Sequence, residues 1–254
     1  MRQPIIAEEY GDYISISKEN VVLKNKTETK LTPLKDLSHV VIKGSYIGFS
    51  SAFILKCFSK NIPIIFLDDF GRPYASINQS SSQRETQINF SNSSRSSAFV
   101  SKLLKQKIRR QHQVLHYHIR SLRLNKIEKA EKIEGYDFSH FLNSLNILIK
   151  RKRPIKEIQQ EFFLLEARSS RAYWKAFSRL FGELFFPGRQ KRKARDPVNK
   201  LLNYGYALLS SLILKTMVLS SLDPAIPLLH HRKELLFPFL YDLMEPFRPI
   251  NDHI

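Results

Sequence analysis

Hydrophobic periodicity changes once along this 254-residue chain, and that change limits the possible folds more than any single motif does. Up to about residue 78, apolar residues come in short runs, DYISIS, NVVLKN, HVVIKG, IPIIFLDD and RPYASIN, with turn residues at Gly11, Asn25 and Gly71. Short runs of this kind bounded by turn formers predict strands. One stretch departs from the pattern. In SSAFILKCFSKN, Ser50 or Ser51 is placed to cap a helix, and Asn61 with Pro63 to end it before the strand at Ile64 to Leu67. From Ala98 onward the apolar spacing turns to threes and fours (Phe99, Leu103, Ile108, Val114, Leu115, Ile119, Leu122) and glycine becomes scarce. This predicts an α+β protein: a β-rich domain over 1–78, a serine-rich linker over 79–97 and an all-α helical domain over 98–254. Within the last, Asp196 and Pro197 form an N-cap and first-turn pair opening DPVNKLLNYGYALLSSLILKTMVLSSL. Apolar residues cover most of that helix's circumference, which predicts a buried central helix.

Charge narrows the choice of partner. Lysine and arginine number 41 against 23 acidic residues, a formal net charge of +18, so a polyanion is the first partner to consider and nucleic acid leads. The excess is concentrated in three blocks, Lys102 to Arg110, Lys150 to Lys156 and Arg189 to Arg195, with well-mixed apolar sequence between them. That distribution points to patches on a folded body rather than a basic tail, although each block alone could be a plain solvated face. The sole cysteine, Cys57, lies in an apolar run, which excludes a disulfide framework and a thiolate metal cluster and fits a cytoplasmic protein. The N-terminus lacks the apolar stretch of a signal peptide. The segment Tyr206 to Leu222 is interrupted by Lys215 and four serines, so no membrane span is expected.

Against this basic background a few acids stand out. At 100° per residue, Phe162, Glu166, Ser169, Tyr173 and Phe177 share one stripe, which puts a carboxylate in the middle of an inward face. A buried acid must be paired or bind metal; a salt bridge to an arginine and a functional role are both open. Asp242 and Glu245, three residues apart, share a helical face, with Leu240, Met244 and Phe247 pointing the other way. They form either a solvated acidic face or, with His230, a set of hard oxygen ligands and one imidazole suited to magnesium or manganese. A cation held inside a basic surface is what a metal-dependent phosphodiester enzyme needs. Two other groupings are weaker. His112 and His116 have the i, i+4 spacing of a helical metal pair but no following glutamate and flanking arginines, so a basic face is the better reading. Asp68 and Asp69 read as a turn between strands.

Taken in order, DPVNKLLNYGYALL, SLDPAIPLLH and DLMEPFRP resemble the motifs of the CRISPR-associated endonuclease and integrase family Cas1, which inserts new spacers into CRISPR arrays in antiviral defence. The likeness extends to VVIKGSYIGFSSAFILKCFSKNIPIIFLDDFGRPYA and AFVSKLLKQKIRRQHQVL, and so to nearly the whole chain. It implies a DNA-binding, metal-binding nuclease and integrase, that is, a hydrolase and transesterase. It also implies a β-rich dimerisation domain, a helical catalytic domain, assembly as a homodimer and a small ferredoxin-like partner, Cas2. The resemblance assigns Mg2+ or Mn2+ to Glu166, His230 and Glu245, with His231 the rival of His230, and makes Asp242 a further catalytic acid that contacts the ion through water or shapes the site. On that reading a 3'-hydroxyl of incoming DNA attacks a target phosphate, and attack by water gives nuclease activity. Asn199 and Asn203 are expected to support the ligands, a helix-packing hydrogen bond being the alternative. Arg189, Lys191, Arg192, Lys193, Arg195 and Arg248 are expected to hold DNA phosphates without reading sequence. Alternatives are a transposon-type integrase of the same family and a DNA-binding remnant without activity. The chain departs from the family at Ala167, Ser221 and Pro227, where glycine is common, and stops nine residues after Glu245, which would weaken DNA or partner binding.

Overall fold

A computed structural model describes residues 2–77, 83–124, 138–181, 185–191, 193–231 and 236–253. The chain divides into two compact units, one of residues 1–84 with 210–224, the other of residues 85–209 with 225–254. The architecture is mixed α+β with two small sheets, and among the described residues every strand lies before residue 78.

The first unit holds two four-stranded sheets. In one, β1 (Gln3–Ala7), β5 (Leu37–Lys43) and β7 (Ile64–Leu67) run parallel, and β8 (Pro73–Ile77) closes the edge antiparallel to β7. In the other, β2 (Tyr13–Ser17), β3 (Asn20–Lys24) and β4 (Thr29–Pro33) form an antiparallel meander, with the two-residue β6 (Gly48–Phe49) parallel to β2. The strands β2, β3, β5, β7 and β8 lie where the alternating runs place them. β1 and β4 escape that reading. β4 is an edge strand whose first three residues are exposed, so it needs no apolar alternation. Helix α1 (Ser51–Ser59) starts at Ser50, whose hydroxyl accepts from Phe53 N at 3.2 Å, and ends before Asn61, which takes φ 53°. Its Phe53 and Cys57 join Ile5, Ile14, Val21, Leu37, Val40, Ile42 and Ile64 in one core, and burial pushes the Cys57 thiol up to about 12. Asp68 accepts from Phe70 N and Arg72 N, so the β7–β8 acids form a turn as expected.

The second unit is helical. Its backbone is α3 (Arg95–Leu124), which packs against α4 (Ser139–Lys150), α5 (Ile155–Phe181), α7 (Pro238–Met244) and α8 (Arg248–Asn251). The stretch 79–97, expected to be a linker, contains helix α2 (Arg84–Ser91) and the start of α3 in its described part. Three of its described serines are not solvent-seeking: Ser91, Ser96 and Ser97 are buried and donate to carbonyls three residues back. Ser96 Oγ also accepts from Ile155 N at 2.9 Å, satisfying an orphan donor at the start of α5. A small hydroxyl that bonds its own turn fits between packed helices, which is why composition misleads here.

Helix α6 (Pro197–Leu219) opens as predicted, with Asp196 Oδ1 accepting from Asn199 N at 2.8 Å. It is not the wholly buried helix expected. Leu202 and Tyr206 serve the helical unit and Leu214, Met217 and Val218 the first unit, while Leu201, Tyr204, Leu208, Leu212 and Leu219 are exposed. By length and composition α6 is long and apolar enough to cross a membrane, despite Lys215, yet 39% of its most apolar stretch is buried in the protein. Gly205 has a packing role: a Cβ there would lie 1.6 Å from Asn251 Oδ1 and displace the side-chain amide that donates to Leu202 O at 3.2 Å.

Candidate active site

A sequence fact about α3 determines the site. Its buried face runs through Val100, Leu104, Lys107, Ile108, Gln111, Val114 and Leu115, so a lysine lies in the core stripe. The Lys107 side chain is 5% exposed and needs compensating charge. It finds two carboxylates: its ammonium contacts Glu166 Oε1 on α5 and lies 2.5 Å from Glu245 Oε2, just past α7. It also donates to Ser170 Oγ at 3.0 Å, and Ser170 in turn donates to Glu166 Oε1 at 2.8 Å. On the other side of Glu245, Arg248 Nε donates to Oε1 at 3.0 Å. Glu245 Oε2 is buried and has no hydrogen bond of good geometry, the contact with Lys107 being close but poorly aligned.

Glu166 thus occupies the inward position its stripe predicts, among the buried Phe162, Ser169, Tyr173 and Phe177, and its partner is a lysine rather than an arginine. The α7 face is different from expectation. Asp242 and Glu245 are 2% and 4% exposed, whereas Phe247 is 41% exposed. The acids turn inward because each finds compensating donors there. Burial alone would raise the Glu245 carboxyl, but Lys107, then Arg248 and His230, outweigh it and hold it well below the usual range. Glu166 shows the same contest, burial against Lys107, and is also lowered. Burial opposes the charge on Lys107 in turn, and Glu245 and Glu166 override it and keep the ammonium protonated.

Asp242 organises the loop ahead of α7. Its Oδ2 accepts from Leu228 N (2.9 Å) and Leu229 N (3.0 Å), and its Oδ1 accepts from His230 N (3.0 Å) and bonds His230 Nδ1 (2.7 Å). One carboxylate therefore fixes three successive amides and the imidazole, with Nδ1 as the bonded nitrogen. Burial works against a charged His230, but the Asp242 bond and then Glu245 raise its pKa overall. This distinguishes the two histidines: His231 is exposed, and His230 is the one aimed by Asp242. Among the described residues, no three histidine, cysteine or acidic side chains are gathered closely enough to hold a metal ion. The two glutamates share a lysine instead.

The residues expected to support the ligands do something else. Asn199 and Asn203 accept from Arg189 Nη1 (2.9 Å) and Nη2 (2.7 Å), and the Arg189 guanidinium lies 5.2 Å from the Tyr206 ring and 5.8 Å from that of Trp174. Arg189 is a packing residue, not a free phosphate ligand. Arg248 is likewise engaged, with Glu245 and over Tyr206. Lys191, Lys193 and Arg195 are exposed, as a phosphate-binding face requires, and Arg192 lies outside the described residues. Of these, Lys191 keeps an exposed surface while its ammonium is partly withdrawn from water, which lowers its pKa; Arg248 opposes its charge, and Glu166 and Glu245 favour it. Sequence reasoning passed over Lys107, treating it as one cation of a surface block. It also passed over Asp252, which accepts from Tyr173 OH at 3.0 Å and from Tyr206 OH and is pushed up to about 6, chiefly by burial.

The family profile described as CRISPR associated protein Cas1 matches residues 5–254. The chain belongs to the Cas1 family. A Cas1 relative from Francisella tularensis subsp. novicida, named a CRISPR-associated endonuclease, is 27% identical over 96% of this chain and 74% of its own. One of the same name from Korarchaeum cryptofilum is 26% identical over 98% of this chain and 75% of its own. Among solved structures, a casposase bound to integration product superimposes with a TM-score of 0.71 at 21% identity, covering 99% of this chain and 71% of that one. A Cas1 protein from Thermotoga maritima gives 0.67 at 16% identity over 97% and 75%. These likenesses establish a shared fold, and the resemblance carried by the three motifs is borne out at the level of family.

Proposed function

We propose that the chain is a DNA endonuclease and integrase that joins new spacer DNA into a CRISPR array by transesterification, acting as a homodimer with Cas2. What chiefly supports this reading is that Glu166 and Glu245, nearly eighty residues apart in sequence, reach the same ammonium, and that both also act electrostatically on the imidazole oriented by Asp242. Two carboxylates and an imidazole are a donor set suited to Mg2+ or Mn2+, and the buried Oε2 of Glu245 faces the Lys107 ammonium. Glu166, His230 and Glu245 would hold the ion by closing in around it, since with the Lys107 ammonium between the glutamates they are not gathered closely enough to do so. When bound, it supplies Lewis acidity to a phosphodiester and lowers the pKa of a coordinated hydroxyl.

The chain's own residues account for the remaining requirements. Asp242 holds His230 in one orientation and fixes the loop that carries it. Arg248 and Lys107 keep Glu245 ionised. Lys191, Lys193 and Arg195 face solvent and are suited to the DNA backbone, where contacts to phosphate position the substrate without reading bases. Glu166→Ala tests the assignment: metal-dependent nicking and strand transfer are abolished, while a gel shift still shows DNA bound through the basic surface. Loss of DNA binding and activity together would make Glu166 a structural residue and overturn the reading.

A further inference from the structure

The cluster around Glu245 is balanced without any metal. Two carboxylates, Glu166 and Glu245, face two cations, Lys107 and Arg248, with Lys107 touching both acids. A dication entering between those acids meets an ammonium already at the shared position. At a few ångströms like charges repel even through strong screening, so the two cannot remain side by side at no cost. The lysine can yield where an arginine could not easily do so, because its charge is a compact group on a flexible four-carbon stem. Its donor to Ser170 Oγ shows that the ammonium has a neutral partner besides the two acids.

Resting on the metal reading above, we infer that Lys107 is a built-in counter-ion that the divalent cation displaces, so that metal and DNA phosphate enter the site interdependently. The displaced ammonium keeps its net charge in the cluster, and a phosphodiester brings the negative charge that restores the balance. In the absence of DNA the lysine holds Glu166 and Glu245 together and ionised. With DNA present the same lysine becomes a cation available to a phosphate oxygen. Lys107 is on this view a positioning residue for both carboxylates, and it accounts for the gathering of two acids in a protein with a formal net charge of +18.

The test is Mn2+ binding by the full chain, read from the electron paramagnetic resonance signal of free Mn2+, with and without a short duplex and after subtracting Mn2+ taken up by the duplex alone. Wild type is expected to bind Mn2+ about tenfold more tightly with the duplex than without, and Lys107→Gln to bind it about tenfold more tightly than wild type when DNA is absent. Lys107→Arg retains the charge but yields less readily, and is expected to bind Mn2+ more weakly than wild type without DNA. If Lys107→Gln fails to fold, the wild-type comparison decides alone. Mn2+ binding that requires Glu166 but is indifferent to DNA, or to Lys107→Gln in a folded variant, overturns the counter-ion proposal and leaves the metal reading standing. Binding that survives Glu166→Gln unchanged overturns both.

Discussion

Replacing Asp242 by asparagine tests the organising role of one side chain with little change in its size. In the native loop both carboxylate oxygens accept: Oδ2 from Leu228 N and Leu229 N, Oδ1 from His230 N and the His230 ring. Asparagine keeps one acceptor oxygen and places an NH2 group where the other was. Whichever way the amide turns, donors then face donors. If the oxygen remains at Oδ2, His230 N and its ring lose their acceptor; if it takes the Oδ1 position, two buried backbone amides do. The native bonds are charge-assisted, and the side chain of Asp242 is 1% exposed, so solvent does not replace them. Two buried donors left unsatisfied at about 1–3 kcal/mol each, less what relaxation recovers, give a destabilisation of about 3 kcal/mol, a large share of a typical folding free energy. The assay is native-state hydrogen exchange at Leu228, Leu229 and His230, read beside denaturant unfolding of the whole chain. The variant should lose protection at those three amides more than elsewhere, and by NMR titration the His230 pKa should fall toward its ordinary value as the Asp242 charge is lost. A change below about 1 kcal/mol with protection at 228–230 intact would refute the argument, since the loop would then be held by something other than this carboxylate.

Two further outcomes follow from the same geometry. Arg189→Ala should lower stability with little effect on the salt dependence of DNA binding, because Arg189 is committed to Asn199, Asn203 and the rings of Trp174 and Tyr206, whereas Lys191→Ala should reduce the slope of log K against log salt by about one charge and leave the melting temperature unchanged. Asp252 has its pKa raised from 3.8 to about 6, so the folded chain takes up its proton more readily than the unfolded chain; its contribution to stability is complete below pH 3.8 and is lost as pH rises through 6, on the order of 3 kcal/mol, opposite in sign to that of Glu166 and Glu245. The difference between wild-type and Asp252→Asn unfolding curves from pH 4 to 7 isolates it.

The fold was readable where a segment's own pattern decides its structure. Alternation with turn residues located β2, β3, β5, β7 and β8, and a serine ahead of an apolar run located the start of α1. It failed where a neighbour decides. β4 is an edge strand held by its pairing to β3 along residues 29–33, and nothing in TKLTP signals burial. The serines of 91–97 look like linker residues in composition, yet their small size and local hydrogen bonds suit close helix packing, and only the approach of α5 to Ser96 shows why. α6 was overestimated for the reverse reason: an apolar surface all round allows burial without requiring it, and the side carrying Leu201, Tyr204 and Leu212 stays exposed.

The acids of the site were readable as anomalies, carboxylates at helical positions that burial should exclude, but their partner was not, because a basic block invites the assumption that every cation in it faces water. The information needed was present. Position 107 lies three residues after Leu104 and four before Gln111, on the face that also carries Val100 and Val114, so projecting the α3 stripe would have placed a lysine in the core. A buried lysine demands an acid, and Glu166, alone on the inward stripe of α5, demands a cation; each anomaly predicts the other. What no such projection supplies is the second acid. Glu245 reaches Lys107 from just past α7, and the loop ahead of α7 is fixed by Asp242 through amides 12 to 14 residues away in sequence. The strongest anomaly in the chain is therefore a lysine that a charge count alone sets among the surface cations.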